Sequence, residues 1–234
     1  MRTPLAGLVG LAESLQLTRP ALSAEQSELA LALRSEALRM STQVNNLLDM
    51  ARIESGEVRL RRDWHSIEEI VGSAVRSTTR VLAPRTVATA IAADLPLVEC
   101  DAVLIERVLV NLLENAAKYT PPSAIVRFSA QVEGALMRVT VADDGPGIRA
   151  GQEEAIFEKF TRGARESALS GVGLGLAICK AIVEAHGGTI AVANRAEGGA
   201  AFSFSLPLGT PPALDAASDE PVDLAREAAP AVAA

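Results

Sequence analysis

The segment VLVNLLENAAKYT, Val108–Thr120, combines an apolar stripe with a compact group of polar side chains. At about 100° per residue in a helix, the two groups fall on opposite faces. The apolar face contains Ile105, Leu109, Leu112, Leu113, Ala116 and Ala117, and the polar face contains Arg107, Asn111, Glu114, Asn115 and Lys118. Asparagine competes for backbone hydrogen bonds and is a mediocre helix former, so two asparagines one turn apart indicate a ligand. On this helix alone, a solvated face is an equal alternative.

The composition indicates a globular protein with an aliphatic core. The 234 residues are 49% hydrophobic and 22% charged, which suits one or two domains. Only 3% are aromatic and the net charge is −7, which argues against a nucleic-acid partner. Cys100 and Cys179 are isolated, so neither a disulfide framework nor a zinc site is expected. No apolar run approaches the ~20 residues that span a bilayer, so the chain as given is expected to be cytoplasmic, with no membrane contact.

Residues 1–57 are predicted to form an α-helical hairpin. The first helix is entered at Pro4, and the second begins after Ser23, which forms a capping-box pattern with Gln26. A heptad seam then continues to about residue 56 through Leu33, Ala37, Met40, Val44, Leu47 and Ala51. One hairpin buries too little apolar surface by itself, so we expect a homodimer that completes a four-helix bundle.

The pattern changes after residue 57 to short strands mixed with helices. A helix to about residue 81 is predicted to be capped by Ser66 with Glu69, and the asparagine-bearing helix is predicted to be capped by Asp101. A third helix is predicted at 172–186. Strands are predicted at 58–62, 87–91, 97–99, 125–132, 136–142, 189–193 and 201–206. Hairpins among these strands favour an α+β layer over a parallel doubly wound sheet. The acidic, Ala- and Pro-rich tail, 209–234, is predicted to be disordered.

Two glycine-rich turns follow the asparagine-bearing helix. In DDGPGI, residues 143–148, an acid at a strand end can accept a hydrogen bond from an exocyclic amine while the glycines admit a flat ligand. By itself this run is equally typical of a tight turn. In GVGLGL, residues 171–176, the start of a helix offers amides and a dipole to an anion. The second run is neither a dinucleotide fingerprint, because Leu176 replaces its last glycine, nor a Walker A loop.

Residues 148–170 lie between these two turns and are predicted to form a lid. A segment of this length in a compact domain is usually a lid or a linker, and the apolar anchors in IFEKF, 156–160, favour a lid. Lys159 and Arg162 could reach phosphates or could be solvated charges.

The four features in this order resemble the ATP-binding domain of sensor histidine kinases, in the superfamily shared with gyrase B subunits and the ninety-kilodalton heat-shock chaperones. The resemblance covers about residues 58–208 through NLLENAAKYTP, DDGPGI, IFEKFTRG and GVGLGLAI. RTPLAGL and NNLLDMARIESG resemble the dimerisation and phosphoacceptor hairpin of that family. Further runs, including WHSIEEIVGSAV and GVGLGLAICKAIVEAHGGTI, are similar to potassium sensor kinases of the Kdp type.

The resemblance implies ATP and Mg²⁺ as cofactors, and transfer of the γ-phosphate to a protein histidine and then to a response regulator receiver domain of the Kdp type. It makes Asn115 the Mg²⁺ ligand through its amide oxygen, and gives Asn111 and Lys118 catalytic contacts to the phosphates. Asp143 would accept from the adenine amine. The other implied nucleotide contacts are Tyr119, Gly145, Gly147, Phe160, Gly171, Gly173, Leu174 and Gly175.

One departure from the family concerns the acceptor. In the family the acceptor histidine and then an acidic residue immediately precede a run such as Met-Arg-Thr-Pro. This sequence starts at that Met1, so we expect a chain truncated just after the acceptor. His65 follows a predicted strand, and His186 ends a helix, where a cation suits the helix dipole. Neither replaces the acceptor. Thr3 matches the family's phosphatase-associated threonine, and Ala200 stands where many relatives place a threonine.

Two functions follow as alternatives. The chain is either an ATP-dependent histidine kinase core that acts on a hairpin of another chain, or a non-catalytic fragment that binds ATP and docks to its parent kinase or a response regulator. A gyrase-like ATPase is disfavoured because Asn111 stands where those enzymes place a water-activating glutamate. Full-length relatives are anchored in the inner membrane. With part of the hairpin missing, we expect exposed apolar surface around Leu47, Leu48 and Ala51.

Overall fold

The computed structural model describes residues 2–18, 21–54, 60–92, 94–159 and 173–210. It begins with an antiparallel hairpin of two helices, α1, Arg2–Gln16, and α2, Ala24–Glu54. The predicted capping box is confirmed, because the Ser23 N–H donates to Gln26 Oε1 at 3.0 Å and the Gln26 N–H donates to Ser23 Oγ at 3.2 Å.

The hairpin buries small side chains and leaves large ones exposed. Among the hairpin side chains that the structure describes, the buried ones are Ala12, Ala30 and Ala37, whereas Leu33 is 62% exposed and Leu47 is 48% exposed. The predicted heptad seam therefore lies mostly on the outside of the hairpin. Exposed apolar surface is confirmed at Leu47 and Leu48, and the side chain of Ala51 lies outside the described part of the chain.

The rest of the described chain is a two-layer α/β sandwich, so the predicted α+β class is confirmed. Its helices are α3, Ile67–Leu82, α4, Ala102–Tyr119, and α5, Gly175–Ala185, with a short 3₁₀ helix at Ala155–Phe157. Its strands are β1, Asp63–His65; β2, Thr86–Ile91; β3, Val98–Cys100; β4, Ile125–Glu133; β5, Leu136–Ala142; β6, Ile190–Asn194; and β7, Ala200–Pro207. The helices pack against a five-stranded sheet of order β2-β4-β5-β7-β6.

The sheet is mixed and has one regular buried face. β2 and β4 are parallel, the other neighbours in this sheet are antiparallel, and β1 and β3 form a separate antiparallel pair. Phe128, Val141, Phe202 and Val192 are register partners across β4, β5, β7 and β6, and all four are buried. Burial alternates from one residue to the next along β4 and β5, which is the two-residue period from which these strands were predicted.

Three local predictions need correction. The predicted strand at 58–62 is wrong for its described residues, because the antiparallel partner β3 reaches only Asp63–His65. The last helix begins at Gly175 rather than residue 172, since Gly173 has a φ of +72° and cannot lie within a helix. Ser66 precedes α3 as predicted, but its side chain makes no capping hydrogen bond.

Other predictions fall partly outside the described residues, namely the lid beyond residue 159 and the tail beyond residue 210. Within the described part, no helix combines the length and apolar character needed to cross a membrane. Cys100 and Cys179 are both free and buried. Burial raises the pKa of the two thiols to about 11 and about 12, so both remain protonated at neutral pH and serve as core side chains.

Candidate functional site

Helix α4 presents the predicted amide and lysine side chains from a firmly held position. The Asp101 carboxylate caps its first turn by accepting from the Leu104 N–H at 3.2 Å, and the apolar face is buried in the core as predicted. Asn111, Asn115, Lys118 and Tyr119 are half-buried along the opposite side, while Glu114 is exposed. The Lys118 Nζ lies 4.8 Å from the centre of the Tyr119 ring.

The Asn111 side chain carries an unsatisfied hydrogen-bond donor. Its Nδ2 atom is buried and donates to no nitrogen or oxygen atom of the described residues; the Cys179 thiol, which is only a weak acceptor, interacts with this amide. Its Oδ1 atom lies 3.8 Å from the point where a Cβ on Gly175 would stand, so the amide faces the first residue of α5. A buried donor without a partner costs about 1–3 kcal/mol, so this position fits an acceptor such as a phosphate oxygen.

The start of α5 supplies main-chain groups to the same place. Gly173 takes a left-handed conformation, Leu174 is buried, and the helix begins at Gly175. Unpaired amides and the helix dipole at this end favour an anion. The side chain of Leu174 belongs to the core, so only its backbone could meet a ligand.

Asp143 and Asp144 are adjacent in sequence and have opposite environments. The Asp143 side chain is buried, and its Oδ1 atom accepts from the Gly145 N–H at 2.8 Å. Asp144 instead accepts from the guanidinium groups of Arg127 and Arg195 and from the Ile125 N–H. Burial raises the pKa of Asp143, whereas the Arg127 hydrogen bond lowers the pKa of Asp144 to about 2. Asp143 is therefore the carboxylate that can still accept a hydrogen bond from a ligand.

Glycines bring the Asp143 loop against the end of α4. A Cβ on Gly145 would stand 2.7 Å from Asp143 Oδ1 and 3.1 Å from Thr120 Cγ2. Gly147 has a φ of +72°, and a Cβ there would stand 2.5 Å from Asn194 Oδ1. The close approach leaves no room for side chains, which explains the glycines after the acid pair.

Residues near the end of β6 hold this loop, and the sequence analysis missed them. Asn194 Oδ1 accepts from the Ile148 N–H at 2.6 Å, and Asn194 Nδ2 donates to the Ile148 carbonyl oxygen at 2.7 Å. Arg195 donates to the Asp143 carbonyl oxygen at 3.0 Å. Gly199 has a φ of +87°, and a Cβ there would stand 1.8 Å from the same oxygen. The Gly198-Gly199 pair is the feature of the sequence that could have predicted this close approach.

The predicted lid is only partly described. Phe157 is buried and packs edge-to-face on Phe202, with ring centres 6.4 Å apart. This contact anchors the segment that follows the Asp143 loop. Phe160 and Gly171, both predicted nucleotide contacts, lie outside the described residues.

The prediction that His186 is a helix-terminal cation is wrong. Its Nε2 atom accepts from the Asp101 N–H at 3.0 Å, and its Nδ1–H donates to the Ile182 carbonyl oxygen at 2.8 Å. A ring nitrogen that accepts has no proton, so the imidazole is neutral. Burial also lowers its pKa. With both nitrogens occupied inside the core, His186 is a structural residue.

Comparisons with known proteins match both parts of the chain. Residues 100–210 match the family described as histidine kinase-, DNA gyrase B- and HSP90-like ATPase, and residues 1–56 match the His Kinase A (phospho-acceptor) domain. The sensor protein KdpD of Escherichia coli (strain K12) is 47% identical over 215 residues, which cover 92% of this chain and 24% of KdpD. The KdpD of Clostridium acetobutylicum is 33% identical, over 88% of this chain and 23% of that protein. The chain thus spans about a quarter of the length of these relatives.

A solved structure shows the same fold across the hairpin and the sandwich. Full-length ShkA in complex with AMPPNP superposes with a TM-score of 0.76 and 31% identity. The superposition covers 90% of this chain and 44% of ShkA.

Proposed function

Because the chain belongs to the histidine kinase family and joins its phospho-acceptor and ATP-binding domains, we propose that it is the catalytic core of a Kdp-type two-component sensor kinase that binds ATP with Mg²⁺. We assign residues 1–57 to the dimerisation hairpin, 58–208 to the ATP-binding domain and 209–234 to a tail.

The observation that carries this proposal is the Asn111 amide, which lies against the start of α5 through Oδ1 and whose buried Nδ2 donor lacks a nitrogen or oxygen acceptor among the described residues. A donor in that position is satisfied when a phosphate oxygen lies between the two helices. Amides at Gly173 and Gly175 add donors on the other side. The site therefore suits the phosphate end of a nucleotide.

The remaining residues take roles that agree with their surroundings. The Asp143 carboxylate would accept from the adenine amine, with Gly145 and Gly147 giving the base access and Tyr119 beside it. Lys118 would contact the phosphates. The Asn115 amide oxygen would hold Mg²⁺, which neutralises phosphate charge during transfer. The protein mainly positions the reacting groups and stabilises charge.

Neither histidine within residues 1–234 is proposed as the acceptor of the phosphoryl group. The 234-residue sequence contains His65 and His186 as its two histidines, and residues 1–56 contain none. His186 is buried with both ring nitrogens bonded. In the transfer, a histidine nitrogen of the partner hairpin would bond to the γ-phosphorus while the bond to the β–γ bridging oxygen breaks and ADP leaves.

The further partners follow from the family. The phosphohistidine would pass its group to the receiver domain of a Kdp-type response regulator, and the hairpin would form a homodimer or pair with a parent kinase. The potassium response is a property that we infer from the likeness to KdpD.

The first test measures nucleotide binding and transfer separately. Calorimetric titration with ATP and Mg²⁺ should show one site, and Asn111→Ala should weaken binding about tenfold, as expected when a charge-assisted hydrogen bond is lost. Gln131→Ala is the matched control, because this amide is exposed and bonds to Glu133 on β4. γ-labelled ATP should then label a supplied Kdp-type hairpin that carries its histidine. Absence of ATP binding would refute the proposal.

The second candidate is a non-catalytic part that binds ATP and docks to a parent kinase or a response regulator. It predicts proven ATP binding and copurification with a parent kinase or response regulator. No acid-labile phosphate would then appear on any supplied acceptor.

A further inference from the structure

The connection between the hairpin and the ATP-binding domain is tied to two helices of that domain. Residues 60–62 directly precede β1, and we call them the linker. The Arg61 N–H donates to Asp101 Oδ2 at 3.0 Å, and Arg62 Nη2 donates to the Ala185 carbonyl oxygen at 3.2 Å. The linker is thus attached to the residue that begins α4 and to the last residue of α5.

The same two helix ends are joined to each other through His186. Its Nε2 atom accepts from the Asp101 N–H at 3.0 Å, while its ring is fixed by the Nδ1–H bond to the Ile182 carbonyl oxygen. Asp101 therefore makes three contacts at once: its N–H reaches His186, Oδ1 caps α4 and Oδ2 holds Arg61. The contact between Asp101 and His186 joins residues 85 positions apart in the sequence, and the contact between Arg61 and Asp101 joins residues 40 positions apart.

We propose that His186 and Asp101 are positioning residues that hold the linker and so set the placement of the ATP-binding domain relative to the hairpin. The inference deepens the proposed kinase function and rests on it, because transfer needs the two parts in a defined orientation. α2 also contacts α5, so the hairpin and the domain meet on the helix that His186 terminates. If the linker were not held, the ATP-binding domain would sample more orientations relative to the hairpin. A smaller fraction of molecules would then be oriented for phosphoryl transfer.

The charges around the imidazole make this attachment sensitive to pH. Arg62 and Asp101 face the ring, the uncharged thiol of Cys100 lies beside both, and Glu184 pairs with Lys180 at 4.0 Å on the exposed side of α5. A protonated Nε2 cannot accept from the Asp101 N–H, and its positive charge repels the Arg62 guanidinium. The imidazolium also attracts the Asp101 carboxylate and so competes with the Arg61 N–H for it, which weakens the second attachment of the linker as well.

The direction of the pH effect follows from the lowered pKa of His186. The ordinary pKa is about 6.5, and burial lowers it in the folded protein. The stabilising contact is therefore fully present above about pH 6.5 and is lost as the pH falls towards the lower folded value.

Amide hydrogen exchange by NMR on the 234-residue chain tests the inference directly. In a series of decreasing pH, and after correction for intrinsic rates, the Arg61 amide should exchange about threefold or more faster below the lowered pKa of His186 than at about pH 7.5, as expected when one hydrogen bond is lost. His186→Gln keeps an acceptor that does not titrate and should abolish this pH dependence. His186→Ala should give fast exchange at both pH values. His65→Gln, the matched change at the other histidine, should behave as wild type.

Asp101→Asn separates the linker bond from helix capping. Asparagine can still cap α4 through Oδ1, but its Nδ2 donor faces the Arg61 N–H and breaks that bond. We expect fast Arg61 exchange at neutral pH, ATP affinity within about twofold of wild type, and about threefold slower transfer to a supplied hairpin. Unchanged Arg61 exchange in both Asp101→Asn and His186→Ala would overturn the inference. If wild type binds ATP but transfers nothing, the kinase proposal fails, and the Arg61 amide still decides whether the linker is held.

Discussion

At the scale of single residues, two neighbouring carboxylates have opposite surroundings. Asp143 and Asp144 are chemically identical and adjacent, but one is buried beside a glycine amide and the other is paired with Arg127 and Arg195. Their pKa values move in opposite directions for that reason. Asp144 is therefore held in the scaffold, whereas the Asp143 carboxylate keeps acceptor capacity for the proposed ligand.

Replacement of Asp143 by asparagine should weaken ATP binding about tenfold or more, since a charge-assisted hydrogen bond to the adenine amine is lost. In the wild type, ATP affinity should fall as the pH drops through the raised pKa of Asp143, because a protonated carboxyl donates instead of accepting. Calorimetric titrations over a range of pH measure both effects, and Asp143→Asn should lack this acid limb.

Asp144→Asn is the matched control. It should lower the free energy of unfolding because two arginines lose a charged acceptor, with ATP affinity within about threefold of wild type. Equal losses of ATP affinity in the two variants would contradict the assignment of Asp143.

At the scale of elements, the Asp143 loop is shaped by the turn between β6 and β7. Asn194 holds Ile148 through two hydrogen bonds, and Arg195 holds the Asp143 carbonyl oxygen. Gly199 passes so close to that oxygen that a Cβ would stand 1.8 Å from it. The geometry of the Asp143 loop is therefore decided by a turn about fifty residues away in sequence.

Gly199→Ala should cost about 2 kcal/mol or more of unfolding free energy, because a left-handed φ and a backbone clash act together. Denaturant unfolding measures the loss. Gly198→Ala is a close control, since Gly198 also has a positive φ, +97°, but no atom lies within 4 Å of its Cβ position. It should cost about 1 kcal/mol. A Gly199→Ala variant no less stable than Gly198→Ala would show that the loop can move away from the turn.

At the scale of the whole molecule, the hairpin and the sandwich differ in which apolar side chains they bury. The sandwich encloses a continuous aliphatic core, whereas the hairpin buries alanines and exposes Leu33, Met40, Leu47 and Leu48. Such an apolar surface along one helix is typical of an interface between chains. The proposed homodimer follows from this difference.

Leu47→Glu should shift the protein from dimer to monomer, because it places a charge in the apolar seam between two hairpins. Sedimentation equilibrium measures the change in the dimer dissociation constant. Val103→Glu is the control, since Val103 is 75% exposed on α4, outside the hairpin. A wild-type chain that stays monomeric at all concentrations, or equal dissociation by both variants, would exclude this interface.

The elements and their order could be predicted from the sequence because local patterns encode them. Alternation predicted β4 and β5, the apolar stripe with its Asp101 cap predicted α4, and the Ser23–Gln26 pattern predicted the start of α2. Motif order also predicted the ATP-binding family. These features depend on neighbours within a few residues, which is the range over which propensity and capping act.

Only the tertiary structure decided the partners that lie far apart in the chain. β1 begins at Asp63 because that residue pairs with Cys100, the last residue of β3. His186 is neutral because its Nε2 accepts from a main-chain N–H 85 residues away. Asn194 acts on the Asp143 loop across 46 residues. The sequence by itself determined which groups could bind a nucleotide. Folding determined which of them remain unsatisfied, because a hydrogen bond formed within the protein removes a donor or acceptor from a ligand, and that pairing is settled across the whole fold.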